Sequence, residues 1–240
     1  MATRAENEIR HGEKLALDKT EKIWGWGTPA GRLRAKRRAA LIVGGAGLRS
    51  GLRALEIGCG TGMFTAMFAA SGAHVTAVDI SPALLAKARH RGLPPEQARF
   101  LNKRFEDCDV EGPFDAVIGS SVLHHLDIEA ALVKIHALLK PGGHLSFAEP
   151  NLLNPQVAFQ LRFRRFFDYV SPDETAFEAG KIKRMLTGAG FIKVRVKHFD
   201  WLHPGTPTNL IRTVRALGTI LEHLPGLCRF AGSLYIHAQR

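Results

Sequence analysis

The stretch Leu55-Glu56-Ile57-Gly58-Cys59-Gly60-Thr61-Gly62 gathers a carboxylate, a thiol and three glycines at one turn of the chain. Glycines at this spacing let the backbone turn sharply and approach a ligand closely. A dinucleotide fingerprint would want glycine or alanine at position 63, where the chain has Met63. Glu56 would also repel a pyrophosphate, because close charges in a low-dielectric crevice interact by several kcal/mol. A ligand with a cationic end is favoured instead. Asp79 closes the next apolar run, where an acid accepts hydrogen bonds from a ribose diol. Together the two acids describe a site for a nucleoside with a positively charged, phosphate-free tail. S-adenosylmethionine has that structure, with an adenosine, a sulfonium and an ammonium.

Other residue types could move a proton. His124 and His125 are adjacent, Glu149 ends a later apolar run, and His203 lies in the segment Phe199-Asp200-Trp201-Leu202-His203-Pro204. Any of the four could take a proton from a hydroxyl acceptor within hydrogen-bond reach. No third ligand stands at helical spacing from the histidine pair, so no metal is expected. Cys59, Cys108 and Cys228 are odd in number and widely spaced. They make neither a full disulfide framework nor a cysteine-built zinc site, and they suit a reducing cytosol.

These residues need a frame that alternates strands and helices. Strands are expected at 53–57, 74–79, 100–102, 114–119 and 144–148, then at 191–199 and 233–236. Helices are expected at 63–70, after the Ser81-Pro82 cap, after the Asp127 cap, over 173–187, and from Thr206-Pro207 to Leu224. Pro141-Gly142-Gly143 stops the helix after Asp127. Such alternation gives a parallel sheet covered by helices on both faces. Residues 1–48 are charged and helical, with Trp24 and Trp26 in a turn-rich segment, and read as a cap. Residues 49–240 read as the catalytic domain, with insertions at 151–172 and 200–226.

Glu56 to Gly62, Val78-Asp79-Ile80-Ser81, Phe114-Asp115-Ala116-Val117, Leu123-His124-His125-Leu126 and Leu139-Lys140-Pro141-Gly142-Gly143 follow one another in order. This series resembles the successive motifs of class I S-adenosylmethionine-dependent methyltransferases, in the small-molecule branch of quinone and natural-product type. The resemblance covers about residues 50–150. It implies a Rossmann-like, doubly wound α/β sheet of seven strands, mostly parallel with the last antiparallel. It also implies S-adenosyl-L-methionine as cofactor and S-adenosyl-L-homocysteine as product. Gly58, Cys59, Gly60 and Gly62 would wrap the methionine end, Asp79 would hold the ribose, and Ile80 and Phe105 would flank adenine. Ser120 would lie beside the methionine moiety, and Arg32 or a neighbour would pair with its carboxylate. Arg104 stands where the family often has an acid, and Glu106 could substitute.

The 240 residues suffice for one large domain, and 33 Lys+Arg against 22 Asp+Glu leave a net charge of +11. A basic surface attracts nucleic acid, anionic membranes or acidic substrates. The charged N-terminus shows no secretory signal, and the longest apolar run is too short to span a bilayer, so a cytoplasmic protein is expected. Arg162-Phe163-Arg164-Arg165-Phe166-Phe167 reads as an amphipathic helix with its apolar side on the core; a helix in peripheral contact with an anionic membrane, or a nucleic-acid platform, are the sharper readings. Trp24, Trp26 and Trp201, with Phe159, Phe163, Phe166, Phe167 and Tyr169, would form an apolar lid over the acceptor. The expected activity is therefore methyl transfer to a small aromatic or lipophilic acceptor, with O-methylation favoured. An RNA methyltransferase and a non-catalytic S-adenosylmethionine-binding protein are the alternatives. The first lacks an Asn/Asp-Pro-Pro-aromatic motif, since Gly119-Ser120-Ser121-Val122 stands in its place. A nucleic-acid partner is not expected, and the oligomeric state is left open.

Overall fold

The structure is a computed structural model that describes all residues but 1, 2, 18, 168, 169 and 172, so Tyr169 lies outside the described residues. Seven strands form one sheet: β1 (Arg53–Ile57), β2 (His74–Asp79), β3 (Ala98–Asn102), β4 (Phe114–Ser120), β5 (Leu139–Pro150), β6 (Ile192–Phe199) and β7 (Ser233–Gln239). Their order is β3-β2-β1-β4-β5-β7-β6. Strands β1 to β5 run parallel, and β7 pairs antiparallel with both β5 and β6. The chain reverses strand order between β1 and β4, which opens a crevice at their carboxyl ends.

Period-two alternation feeds two cores. Leu55, Ile57, Val117, Leu145, Phe147, Leu234 and Ile236 face one side, against α6 (Ile128–Leu138) and α8 (Ala179–Gly188). Ala54, Ala77, Ala116, Ile118 and Ala148 face the other, against α3 (Pro29–Ala46), α4 (Met63–Ala69) and α5 (Pro82–Arg89). Small strand residues on that second face let α3 settle close, with Ala35, Ala39 and Ile42 fully or nearly buried. The expected caps Ser81 and Asp127 accept backbone N–H bonds at the starts of α5 and α6, and Thr28 does the same for α3. Before α3 come α1 (Arg4–Ala16) and the single turn α2 (Thr20–Ile23).

Four elements depart from the sequence reading. Strand β5 begins at Leu139, not 144, so the Pro141-Gly142-Gly143 segment expected as the helix stop lies inside it. Helix α8 begins at Ala179, not 173, because Phe177 bridges to Asn151 and keeps that segment extended. Pro207 is extended (φ −55°, ψ 142°); a 3-10 turn over Thr208–Leu210 then leads into α9 (Ile211–Leu221). Helix α7 (Pro155–Arg162) and the 3-10 turn Arg164–Phe166 do not turn an apolar side to the core. Neither contains a buried residue, and Phe159 and Phe166 are 55% and 69% exposed. Among the described residues, no helix is long and apolar enough to cross a membrane.

Candidate functional site

The glycine loop at the tip of β1 is built by three left-handed residues, Gly58 (φ 65°), Gly60 (φ 51°) and Gly62 (φ 73°). Each conformation is costly for a residue with a side chain. At Gly58 a Cβ would also lie 2.2 Å from Val122 Cγ2. The N–H groups of Gly58 and Cys59 reach back to the Val78 carbonyl, so the loop is tied to β2. Asp79 completes the tie: its carboxylate accepts from Gly60 N at 2.7 Å and Ser81 N at 2.8 Å. Burial raises its pKa, and those two bonds offset part of the rise.

These residues open onto a cavity of about 310 Å³. Its wall carries Gly58, Cys59, Gly60, Asp79, Ile80, Phe105, Ser120, His124 and His125, and both Trp24 and Trp26. The wall thus gathers the expected residues that follow β1, end β2 and β4, and form the turn after β4, whereas Glu56 of β1 is not on it. The Trp24 ring lies over Gly60, 3.2 Å from where a Cβ would stand. Trp26 meets Phe64 edge-on at 5.6 Å and has the Arg34 guanidinium over its face.

Several expected residues lie elsewhere. Arg32 is exposed and donates to the Gly27 carbonyl, since its position on α3 faces solvent. His203 is exposed; its Nδ1 accepts from Gly205 N, and its Nε2 meets the Gln156 amide. Trp201 packs against Gly218 of α9 and is absent from the cavity wall. Phe159, Phe163, Phe166 and Phe167 are absent from it too, so of the described residues of the expected apolar lid only Trp24 and Trp26 stand on the wall. Gly62 turns inward onto Ala88 of α5. Glu149 is fully buried behind the wall, where it accepts from Val122 N and Leu123 N and from His124 Nδ1 at 2.6 Å.

That last pair is structural in character. Burial opposes charge on both groups, but each outweighs it for the other. His124 rises to about 9, helped by Glu174, and Glu149 falls below its usual value. His124, His125 and Glu174 place one ligand atom each within 4.8 Å of one another. A cation there would have to displace a tightly held proton, because His124 is already committed to Glu149.

Glu56 sits beneath the loop, 1% exposed, and its Oε2 has no hydrogen-bond partner. Burial drives its pKa up to about 8, with Asp79 adding to the rise and Thr65 opposing it. A buried carboxylate oxygen without a donor is costly. A primary ammonium beside it would supply both a donor and a countercharge, so the residues present fit the methionine end of S-adenosylmethionine.

Sequence reading missed four residues. Arg4 and Glu8 of α1, and Glu174, stand on the cavity wall. They carry no local motif and arrive through tertiary packing. Arg38 lies behind the wall, 2% exposed. It donates to Ser120 Oγ, Ser121 Oγ, the Ala148 carbonyl and Ser233 Oγ. Burial lowers it to about 10. Its spacing with Ala35 and Ile42 puts it on the apolar stripe of α3, a signal legible in the sequence.

Fold and site define a Rossmann-like α/β domain whose glycine loop opens onto a cavity at the carboxyl ends of the strands. Residues 55–145 match the family model described as a methyltransferase domain. It is 43% identical over 100 residues to a ubiquinone biosynthesis O-methyltransferase of Xylella fastidiosa, covering 40% of this chain and 41% of that one. The chain thus spans about two fifths of the length of the curated relatives it matches first. A relative of the same description from Acinetobacter baylyi is 28% identical over 194 residues, covering 71% of this chain and 79% of its own. Among solved structures, the N-methyltransferase NodS of Bradyrhizobium japonicum, in complex with S-adenosyl-L-homocysteine, is similar with TM-score 0.63 at 18% identity, covering 98% of each chain. A protein described as a 4+2 cyclase is similar with TM-score 0.66 at 17% identity, covering 100% of this chain and 97% of its own. Likeness at this level carries the fold and leaves the reaction to the site.

Proposed function

We propose that this chain transfers a methyl group from S-adenosyl-L-methionine to a hydroxyl of a small aromatic or lipophilic acceptor. The observation that carries the reading is the orphaned Glu56 oxygen beneath a loop of three left-handed glycines, two of which, Gly58 and Gly60, line a cavity together with Asp79. When bound, the sulfonium supplies an activated methyl carbon. The chain's own part is alignment and exclusion of water. Gly58 to Gly60 and Glu56 hold the amino-acid end, Asp79 the ribose, and Ile80 with Phe105 the adenine. Trp24 and Trp26 give the cavity an apolar side suited to an aromatic acceptor, and the ubiquinone biosynthesis relatives support oxygen as the acceptor atom.

Calorimetry with S-adenosyl-L-homocysteine, followed by methyl transfer to a panel of catechols, phenols and lipids, tests the reading. Micromolar binding and turnover on hydroxylated aromatics are expected. Absence of binding, or turnover confined to very polar acceptors, would overturn it.

A peripheral contact with an anionic membrane is a second reading. Exposed Phe159, Phe163 and Phe166 stand beside Arg162 and Arg165 on a surface with no acid between Pro150 and Phe167. Such a contact would bring a lipophilic acceptor to the enzyme.

A further inference from the structure

His125 and Glu8 come from distant segments and meet on the cavity wall, with His125 Nδ1 3.2 Å from Glu8 Oε1. The same Glu8 oxygen accepts the Ser171 hydroxyl at 2.6 Å. Burial works against charge on Glu8, but His125 and Ser171 hold it ionised, with a pKa near 2. Helix α1 is fixed in this pose by bonds to backbone around the histidine pair. Arg4 donates to the carbonyls of His124 (3.0 Å), Leu126 (3.2 Å) and Asp173 (3.2 Å). Asn7 donates to Asp173 at 2.8 Å. Further along α1, Gly12 lies so close to α5 that a Cβ would stand 2.5 Å from Ser81 Oγ.

A neutral imidazole carries one proton on one of two nitrogens, and its neighbours decide which. An ionised carboxylate can only accept. His125 Nδ1 is buried without a well-aligned hydrogen bond, and Glu8 Oε1 at 3.2 Å is the acceptor beside it, so the carboxylate favours a proton on Nδ1 and a lone pair on Nε2. His124 cannot serve in the same way, because it has a carboxylate at each nitrogen, Glu149 at Nδ1 and Glu174 3.7 Å from Nε2, and the two together hold the ring protonated.

We infer that Glu8 is the positioning residue for His125: docked α1 brings a carboxylate to Nδ1 and leaves Nε2 as the atom that takes the acceptor's proton. The inference rests on the methyl-transfer reading above and names the group that reading leaves open. In the step, the acceptor oxygen bonds to the methyl carbon while the carbon–sulfur bond breaks and its electron pair stays on sulfur. The hydroxyl proton passes to Nε2, and the imidazolium later releases a proton to water. The proton-accepting group is therefore complete only when the N-terminal helix is seated.

The test compares wild type, Glu8→Gln and Glu8→Asp, each with S-adenosyl-L-homocysteine present. Long-range 15N–1H NMR of the His125 ring, at a pH where the ring is neutral, reads the tautomer directly. Wild type should show the proton on Nδ1, and Glu8→Gln a mixture of both forms, with Glu8→Asp restoring the wild-type form in part. With a catechol acceptor, Glu8→Gln should lower kcat by about tenfold to a hundredfold with little change in KM. An unchanged tautomer in Glu8→Gln, or a loss expressed only in KM, would overturn the inference. Should Glu8→Gln fail to fold, Ser171→Ala removes the hydroxyl that orients Glu8 and should give the same tautomer mixing; an unaltered tautomer there would also overturn it. Wild type that binds no S-adenosyl-L-homocysteine would sink the methyl-transfer reading itself, whereas the tautomer comparison judges Glu8 alone.

Discussion

The buried imidazole of His124 donates through Nδ1 to the fully buried carboxylate of Glu149, 2.6 Å away. This pair, together with the Glu149 bonds to Val122 N and Leu123 N, locks the 3-10 turn Leu123–His125 onto the end of β5. Removing one partner strands a charge in the interior, so His124→Ala or Glu149→Ala should cost about 3–5 kcal/mol in urea unfolding.

The same pair predicts a pH dependence. Its pKa rise means that His124 stabilises fully below about 6.5 and loses the contribution as pH climbs through about 9. Glu149, held low, loses its share only as pH falls below the usual carboxylate range. Glu56 adds a separate slope, because its rise to about 8 means stability is lost between roughly pH 4.5 and 8. Urea midpoints from pH 6 to 10 should therefore fall in wild type. The decline should be shallower in Glu56→Gln, and nearly absent in that background with His124→Gln.

Glu56 also predicts proton release on ligand binding. At pH 7 most of the free protein carries a protonated Glu56. An ammonium seated against Oε2 stabilises the carboxylate, so binding of S-adenosyl-L-homocysteine should release close to one proton. Calorimetry in phosphate and in Tris, whose ionisation enthalpies differ, measures this. Glu56→Gln should bind at least tenfold more weakly and without buffer-dependent heat. An equal heat in both buffers for wild type would refute the placement of the ammonium.

Gly58→Ala should be damaging out of proportion to its size. The added methyl enters a left-handed position and meets Val122 Cγ2. A destabilisation of about 2–4 kcal/mol is expected from strain and overpacking combined. Thermal melts and S-adenosyl-L-homocysteine titrations should both show the loss, while Gly142→Ala, left-handed but in open space, should cost less and leave binding intact.

Vesicle sedimentation checks the exposed phenylalanines. Wild type should pellet with vesicles of phosphatidylglycerol and phosphatidylcholine, less so with phosphatidylcholine alone, and less again in high salt. Phe159→Ser with Phe166→Ser should reduce pelleting several-fold. Equal recovery of variant and wild type would count against this face.

Local chemistry made the cofactor half of the site legible. Gly58 with Gly60, and Asp79 with Ser81, form two short local patterns at the ends of the neighbouring strands β1 and β2, so motif and resemblance together pointed to them. The acceptor half depends on side chains that meet over long separations. Glu8 reaches His125, Arg4 reaches the His124 carbonyl, and Arg38 reaches Ser233. No periodicity announces such encounters. His203 and Trp201 were plausible by type, yet α9 and the loop before it carry them away from the crevice. The early helix start at 173 failed for a related reason: the acidic run there has helical propensity, but Phe177 is claimed by Asn151.

Strand β7 bridges β5 and β6, although it is formed by residues 233–239. During synthesis, β5 must therefore wait with an unpaired edge while roughly eighty further residues leave the ribosome. Until those residues emerge, the growing polypeptide exposes a hydrophobic ribbon that a second nascent copy could capture. Yield on expression should thus respond strongly to translation rate and to holdase chaperones.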